Sequence, residues 1–209
     1  MKTSWKTMLV AALGTVCVAS AATALQNPST GDPTLTVLVH DYAGIADSSL
    51  DEMETLTAGL LSRAGVRMQW VHCRGHQAGS RPALCDANPE KGLVMLRILG
   101  SFDGKSPLGD PLGMAEVDSG YASLYVSEIN KYANHNGLPA SNLMAYAATH
   151  EIGHLLLGRS HSSSGIMQAV WGKAEYREMG QRWLGFSLAQ RQTLRQAVPA
   201  AEQLLASAK

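Results

Sequence analysis

The chain has few charged residues and no excess of either sign. Its 209 residues include 17 Lys and Arg and 17 Asp and Glu, so the formal net charge at pH 7 is zero. Proteins that bind nucleic acid or an anionic membrane surface usually carry a basic excess. We therefore expect no nucleic-acid partner. Internal repeats, low-complexity tracts and long charged tails are also missing from the sequence.

Long apolar runs are scarce as well. The longest, residues 8–18, follows two lysines and precedes an Ala-Thr-Ala sequence at residues 22–24. It is too short for a membrane-spanning helix, which needs about 20 apolar residues. A basic start, a short apolar run and an A-x-A site are typical of a cleaved signal peptide. We predict a signal peptide over residues 1–24, a secreted or periplasmic location and no stable membrane anchor.

Cysteine is rare. The chain has three, and Cys17 would be lost with the signal peptide, which leaves Cys73 and Cys85. Two cysteines about twelve residues apart in an oxidising compartment predict a disulfide bond that closes a loop. Such a bond would stabilise the fold by about 3 kcal/mol. Neither cysteine lies near the histidine-rich segment further along the chain, and this argues against a structural zinc site, which is usually rich in cysteine.

That segment contains the residues most typical of a metal site. His150, Glu151 and His154 form a His-Glu-x-x-His motif, and His161 follows it. Residues four apart lie on the same face of a helix, so His150 and His154 can bind one metal ion together. Glu151 can then reach a water molecule at the open position of the metal. We predict His150, His154 and His161 as metal ligands and Glu151 as the catalytic residue.

His161 can join this group only if the helix ends before it. On a continued helix it would lie about 16 Å further along the axis than His150. Gly158 is the predicted end, in the left-handed conformation that glycine adopts without steric cost. The chain can then turn back, and a Ser/Gly-rich turn before Ile166 would bring Met167 beneath the histidines.

The segment HEIGHLLLGRSHSSSGIM resembles the metzincin signature, HExxHxxGxxH followed by a Met-turn. It departs from that signature at one point, because three leucines separate His154 from Gly158 where the signature has two residues. The resemblance implies zinc as the cofactor and Met167 as a hydrophobic base beneath it. It also implies a zinc endopeptidase that hydrolyses peptide bonds by attack of a zinc-bound water, with Glu151 as the base.

The rest of the chain predicts an α+β fold. Apolar and β-branched patterns predict strands at residues 35–40, 66–73, 92–99, 113–117 and 121–126. Helices are predicted at residues 47–62, 127–134, 175–182 and 187–198, together with the motif helix from Ser141. The residues Asp47-Ser48-Ser49, Ser141 and Ser187 are predicted as helix caps.

This order resembles a zincin-like catalytic domain, in which a twisted mixed β-sheet lies over the active-site helix and a small helical C-terminal subdomain follows. We assign residues 25–209 to one such domain, with an upper subdomain of about residues 34–158 and a lower one of about 159–209. The resemblance implies that residues 113–126 lie above the cleft as an edge strand. Such an edge offers unpaired amides to an extended peptide. We expect a peptide or protein substrate and a monomer.

The sequence is compatible with several alternatives. Glu175 and Glu178 lie about twenty residues beyond His154, a spacing that resembles thermolysin-like enzymes, and either could replace His161 as the third ligand. The transition-state oxygen also needs a hydrogen-bond donor, for which the candidates are Arg159, Tyr176, Arg177 and Arg182. Two other functions fit the motif: a secreted zinc-binding module without turnover, and a zinc metallohydrolase that acts on a non-peptide amide. Glu151 argues against the first, since a pure binder needs no base.

Overall fold

The computed structural model describes residues 32–73, 82–87, 93–104 and 110–206, so the predicted signal peptide lies outside the described residues. The described chain contains five β-strands and five α-helices with one short 3₁₀ helix, Ala83–Asp86. In chain order the strands and α-helices are β1 (Thr34–Asp41), α1 (Asp47–Ser62), β2 (Arg67–His72), β3 (Val94–Leu99), β4 (Gly113–Glu116), β5 (Tyr121–Tyr125), α2 (Val126–Asn136), α3 (Ala140–Leu157), α4 (Lys173–Gly180) and α5 (Leu188–Ala206).

The five strands form one mixed sheet in the order β2-β1-β3-β5-β4. Strands β2, β1, β3 and β5 are parallel to one another. Strand β4 alone runs antiparallel, paired with β5 at the edge of the sheet. The parallel strands β1 and β3 lie inside the sheet and are largely buried, which explains their apolar runs. The predicted α+β fold with a mixed sheet is confirmed.

The two faces of the sheet carry separate apolar clusters, because successive side chains of a strand point to opposite sides. Leu35, Val37 and Val39 of β1 face the main core, where the helices pack. Leu38 faces the other side and packs in a smaller cluster with Cys73 and Cys85. These cysteines form the predicted disulfide bond, with their Cα atoms 5.5 Å apart. The bond therefore lies on the sheet face opposite the helical core.

Helix α3 lies at the centre of the main core. It packs against β4 and β5 on one side and against α1, α2 and α5 on the others. Most of its residues are buried, and among them the hydroxyl of Thr149 donates to the Ala145 carbonyl at 2.7 Å. A helix surrounded in this way needs apolar residues over nearly its whole surface. His150, Glu151 and His154 are buried in it as well, and they are therefore exceptions that require a function.

Two of the predicted helix caps are wrong. Helix α3 begins at Ala140, directly after Pro139. The Ser141 hydroxyl instead donates a hydrogen bond to the Glu52 carboxylate at 2.7 Å. Helix α1 begins at Asp47 itself and has no side-chain cap. In α3, Pro139 takes the position before the first turn, with an extended backbone. Ser141 therefore lies inside the helix, where its side chain makes a tertiary contact and not a cap.

The predicted cap of the last helix is confirmed. The Ser187 hydroxyl accepts a hydrogen bond from the Gln190 amide at 3.3 Å, and the Gln190 side chain accepts one from the Ser187 amide at 2.9 Å. This reciprocal pair is a capping box. No described helix is both long and apolar enough to cross a membrane.

Candidate metal centre

Three histidine side chains converge at one point on α3. His150 and His154 lie one turn apart on the helix, and His161 arrives from the loop that follows it. The Nε2 atom of His154 lies 3.0 Å from Nε2 of His150 and 3.2 Å from Nε2 of His161. The ligand nitrogens of all three lie within 4.8 Å of one another. The structure thus brings together the three histidines that the sequence analysis selected.

The chain reverses at Gly158. Helix α3 ends at Leu157, so the additional leucine is accommodated as its last residue. Gly158 has φ 90° and ψ −174°, which is not the predicted left-handed helical conformation but a region that is essentially restricted to glycine. The prediction of a glycine stop is confirmed, and its predicted backbone conformation is wrong. After this glycine the chain turns back, and Nε2 of His161 lies 3.2 Å from Nε2 of His154.

Backbone carbonyls hold two of the imidazole rings. The Nδ1 atom of His150 donates to the Ile166 carbonyl at 2.7 Å, and Nδ1 of His154 donates to the Gly158 carbonyl at 2.9 Å. These contacts assign the proton to Nδ1 and leave the lone pair of Nε2 directed at the common point. Burial lowers the pKa of His150 to about 4, and its neutral form is the one that binds metal.

The donor set fits a catalytic zinc ion. Zinc is commonly bound by neutral imidazole nitrogens, and catalytic sites use three protein ligands with one position left open. Here three imidazoles converge, and all three line the same cleft, from which a substrate could reach the open position. Within the described parts of the chain, no cysteine or carboxylate joins the group as a fourth ligand.

Glu151 lies next to the histidines and is itself buried, with 7% of its surface exposed. Burial raises the pKa of its carboxyl group to about 8. A nearby cation favours the carboxylate form and lowers this pKa. The strand above it approaches so closely that a Cβ atom at Gly113 would lie 2.7 Å from Cγ of Glu151. This requirement at Gly113 was missed from the sequence, where the available signal was a glycine in a predicted strand, which often marks a close approach of another group.

Met167 is fully buried beneath the helix, where the sequence analysis expected it. Its sulfur atom would lie 2.5 Å from a Cβ atom at Gly153, a residue between the two helical histidines. The turn before Met167 is closed by the Ser162 amide, which donates to the Met167 carbonyl at 2.8 Å. The same turn is attached to the segment between α4 and α5, because the Ile166 amide donates to the Gly185 carbonyl at 3.1 Å.

Trp171 is a supporting residue whose role the sequence did not reveal. Its indole nitrogen donates to the Ile166 carbonyl at 3.2 Å, the same oxygen that holds His150. Its ring centroid lies 5.5 Å from that of His150, in an edge-to-face arrangement. The only sequence signal was an aromatic residue shortly after the turn, and nothing in that signal identifies the shared carbonyl.

The alternative third ligands lie elsewhere. The Glu175 carboxylate accepts a hydrogen bond from the Gly172 amide at 2.8 Å and so caps the first turn of α4. Neither Glu175 nor Glu178 belongs to the group of ligand atoms found in the described chain. Tyr176, between them, lines the cleft instead. Burial raises the pKa of its phenol, which keeps the hydroxyl protonated.

The cleft beside the histidines has a volume of ≈ 500 Å³. Edge strand β4 forms its upper wall, and its lower wall consists of the segment after Met167 with the start of α4. The expectation that residues 113–126 form the edge strand is correct only for β4, because β5 lies inside the sheet between β3 and β4 and does not line the cleft. The residues that line it are Asp110, Pro111, Leu112, Gly113, Met114, Ala115, Val117, Tyr132, Ala147, His150, Glu151, His154, Arg159, His161, Gln168, Ala169, Val170, Trp171 and Tyr176. Of the four proposed donors for the transition-state oxygen, only Arg159 and Tyr176 are among them.

The mixed sheet, the helix beneath it and the three-histidine group together define a metzincin-like zincin fold. The structure is similar to that of archaemetzincin from Methanopyrus kandleri, with a TM-score of 0.51 and 14% sequence identity over 82% of this chain and 98% of that one. At this identity the likeness shows the fold and not the activity.

Two further solved structures are similar. Archaemetzincin from Archaeoglobus fulgidus in complex with malonate has a TM-score of 0.47 and 15% identity, covering 77% of this chain and 99% of that one. A zinc-dependent peptidase from Methanocorpusculum labreanum has a TM-score of 0.47 and 13% identity, with the same two coverages, 77% and 99%. No sequence profile of a protein family matches the chain, and no curated protein sequence matches it.

Proposed function

We propose that the protein is a zinc-dependent endopeptidase. The observation that carries this proposal is the convergence of three imidazole Nε2 atoms beside the buried carboxyl group of Glu151, at the floor of an open cleft. His150, His154 and His161 would hold the zinc ion. When bound, zinc would lower the pKa of a water molecule and polarise the carbonyl group of the peptide bond.

Glu151 moves the protons in this proposal. Its carboxylate accepts a proton from the attacking water and then delivers that proton to the nitrogen of the leaving amine. Burial alone would keep the group protonated at neutral pH, since it raises the pKa to about 8. The positive charge of a metal held by the adjacent histidines offsets this effect and restores a carboxylate. A base that is ionised only beside the metal suits this role.

The edge of the sheet supports cleavage within a peptide chain. Among the described strands, β4 pairs with β5 alone and ends the sheet, and its residues line the cleft. An extended peptide can add to such an edge by main-chain hydrogen bonds, which do not depend on its sequence. Gly113 lets the strand approach Glu151 closely. The bound backbone would therefore pass beside the base, with residues on both sides of the scissile bond held by the strand.

We also propose that the protein acts in an oxidising compartment outside the cytoplasm. The Cys73–Cys85 disulfide supports this location, because such bonds form and persist in secreted and periplasmic proteins. The signal-peptide pattern of residues 1–24 points the same way. Mass spectrometry of the exported protein tests it, and a mature chain that begins near residue 25 is the expected result.

The decisive experiment measures zinc content and casein cleavage in the mature protein, in its Glu151→Gln variant and in the control variant Glu175→Gln. We expect near one zinc per chain in all three and cleavage by all except Glu151→Gln. Zinc in every form without cleavage would favour a zinc-binding module. Zinc-dependent release from small amides but not from peptides would favour a non-peptide amidohydrolase. Absence of zinc in all three proteins would refute the proposal.

A further inference from the structure

Two side chains of opposite charge line the cleft, one near each end of β4. Besides Glu151, the charged side chains that line it in the described chain are Asp110 and Arg159. Asp110 lies before the start of β4, and Arg159 lines the cleft together with Val117, just beyond the end of that strand. A substrate in the cleft therefore meets an acidic group near one end of β4 and a basic group near the other.

The direction of β4 relates these ends to the two sides of the scissile bond. The strand begins at Gly113, beside Glu151, and runs to Glu116. An antiparallel peptide is the slightly more stable addition to a free edge. Such a peptide runs in the opposite sense, so the residues before its scissile bond lie toward Val117 and Arg159. The residues after the bond lie toward Asp110.

Arg159 is held near the metal centre by its position in the chain. It directly follows Gly158, whose carbonyl holds His154, and it precedes His161 by two residues. Its guanidinium group forms an ion pair with Asp118, in the turn after β4. The pair connects the loop after α3 with the turn after β4.

This ion pair is weak enough to exchange partners. The side chains of Arg159 and Asp118 are 70% and 84% exposed, and pairs this exposed contribute little to stability because water and salt screen them. Asp118 does not itself line the cleft, whereas Arg159 does. A carboxylate of a bound substrate can therefore replace Asp118 as the partner of the guanidinium.

We propose that Arg159 selects substrates that carry an acidic side chain on the amino side of the scissile bond. At about 3.4 Å per residue along an extended strand, this side chain belongs to a residue roughly two to four positions before the bond. Asp118 competes with the substrate for the guanidinium and so weakens the selection. Asp110 repels acidic residues on the opposite side. The inference rests on the proposed peptidase function.

The test uses three peptides that share one cleavable sequence: one with Gln on both sides, one with Glu on the amino side and one with Glu on the carboxyl side. The unaltered protein is expected to cleave the amino-side Glu peptide with a kcat/KM about three- to fivefold above that of the Gln peptide. Arg159→Gln should remove this preference, and Asp118→Asn should increase it. High salt should reduce it in the unaltered protein, because salt screens charge pairs between exposed groups.

Both variants break the ion pair. If the pair had only a structural role, both would therefore change the preference for Glu in the same direction. A preference that survives Arg159→Gln, falls in Asp118→Asn or favours Glu on the carboxyl side overturns the inference. In each of those cases, cleavage of the Gln peptide by the unaltered protein would show that the peptidase proposal still holds. Failure of the unaltered protein to cleave any of the three peptides or casein overturns the peptidase proposal, and this inference with it.

Discussion

The sulfur atom of Met167 lies directly beneath Gly153, so that a Cβ atom at Gly153 would be only 2.5 Å away from it. The two residues come from different segments, the helix that carries the histidines and the turn that follows them. Through their contact the turn packs against the helix, and the Ile166 carbonyl of the same turn accepts the hydrogen bond from His150. The packing of Met167 and the orientation of a metal ligand are therefore linked.

Gly153→Ala should destabilise the protein by about 1–3 kcal/mol, because the added methyl group overpacks a closed core. Zinc affinity should fall with it, since displacement of the turn moves the carbonyl that holds His150. Urea unfolding and a zinc competition titration would measure the two effects. Combining it with Met167→Val, which removes the clashing sulfur, should recover part of the stability, and simple additivity of the two changes would contradict the proposed contact.

Gly59→Ala is the matched control, because Gly59 is a glycine of α1 with nothing within 4 Å of its Cβ position. There the change should stabilise the protein by about 0.5–1 kcal/mol through the entropy of the unfolded chain. Zinc affinity should not change.

Gly113→Ala should impair turnover while it leaves the bound zinc in place. A Cβ atom there would lie 2.7 Å from Cγ of Glu151 and 2.8 Å from the Ser123 carbonyl oxygen. Either the edge strand or the base must move, and a displacement of about 1 Å can cost roughly 100-fold in rate. Gly100→Ala, at a glycine with nothing within 4 Å, is the control. Unchanged kcat in Gly113→Ala would mean that the strand does not position the base.

His161→Ala should weaken zinc binding by more than about 100-fold, since even the loss of a residue that only supports a ligand costs 10- to 100-fold. Glu175→Ala should leave zinc affinity unchanged, because its carboxylate caps α4 instead. Competition with a chelator of known affinity would measure both. Loss of zinc in the Glu175 variant, with retention in the His161 variant, would reverse the assignment of the third ligand.

Metal-free protein should become more stable when Glu151 is replaced by Gln. Burial raises the pKa of Glu151 to about 8 from an ordinary value of 4.5, so the folded state retains a proton that the unfolded state releases. Stability from this group is complete below pH 4.5 and is lost as the pH rises toward 8. The advantage of Glu151→Gln should thus grow over this range to at least about 1 kcal/mol.

Urea unfolding in a chelator at several pH values would test this expectation. Zinc should reduce the advantage of the variant, because the cation stabilises the carboxylate that only the unaltered protein carries. A variant whose advantage over the unaltered metal-free protein does not grow between pH 4.5 and 8 would show that Glu151 is not held protonated by burial.

Removal of the disulfide should reduce stability without affecting the metal centre. Replacing both Cys73 and Cys85 by Ala should cost about 3 kcal/mol, as expected for a loop of this length. The bond packs with Leu38 on the face of the sheet that is remote from the histidines, so zinc content should remain the same. Thermal unfolding with and without a reductant would measure the loss, and the variant itself should not respond to the reductant.

Local patterns predicted most of the elements of this fold. The apolar strands β1 and β3 were recognisable because burial on both faces leaves a nearly continuous apolar run. The spacing of His150 and His154 placed them on one face of a helix, since i and i+4 neighbours always meet there. Helix starts were less predictable. Ser141 has the chemistry of a cap, yet a contact with Glu52, far away in the sequence, competes for its hydroxyl.

By itself, the sequence determined the residues that can bind metal, the helix that presents two of them and the glycine at which that helix ends. These depend on bonds and contacts within a few residues. Tertiary structure alone decided that His161 joins the pair and Glu175 does not, and that one carbonyl serves both His150 and Trp171. It also decided that β4 approaches Glu151 through Gly113. Each of these depends on the path of the chain between distant segments, which is set by packing around the whole of α3 and is not encoded in any local pattern.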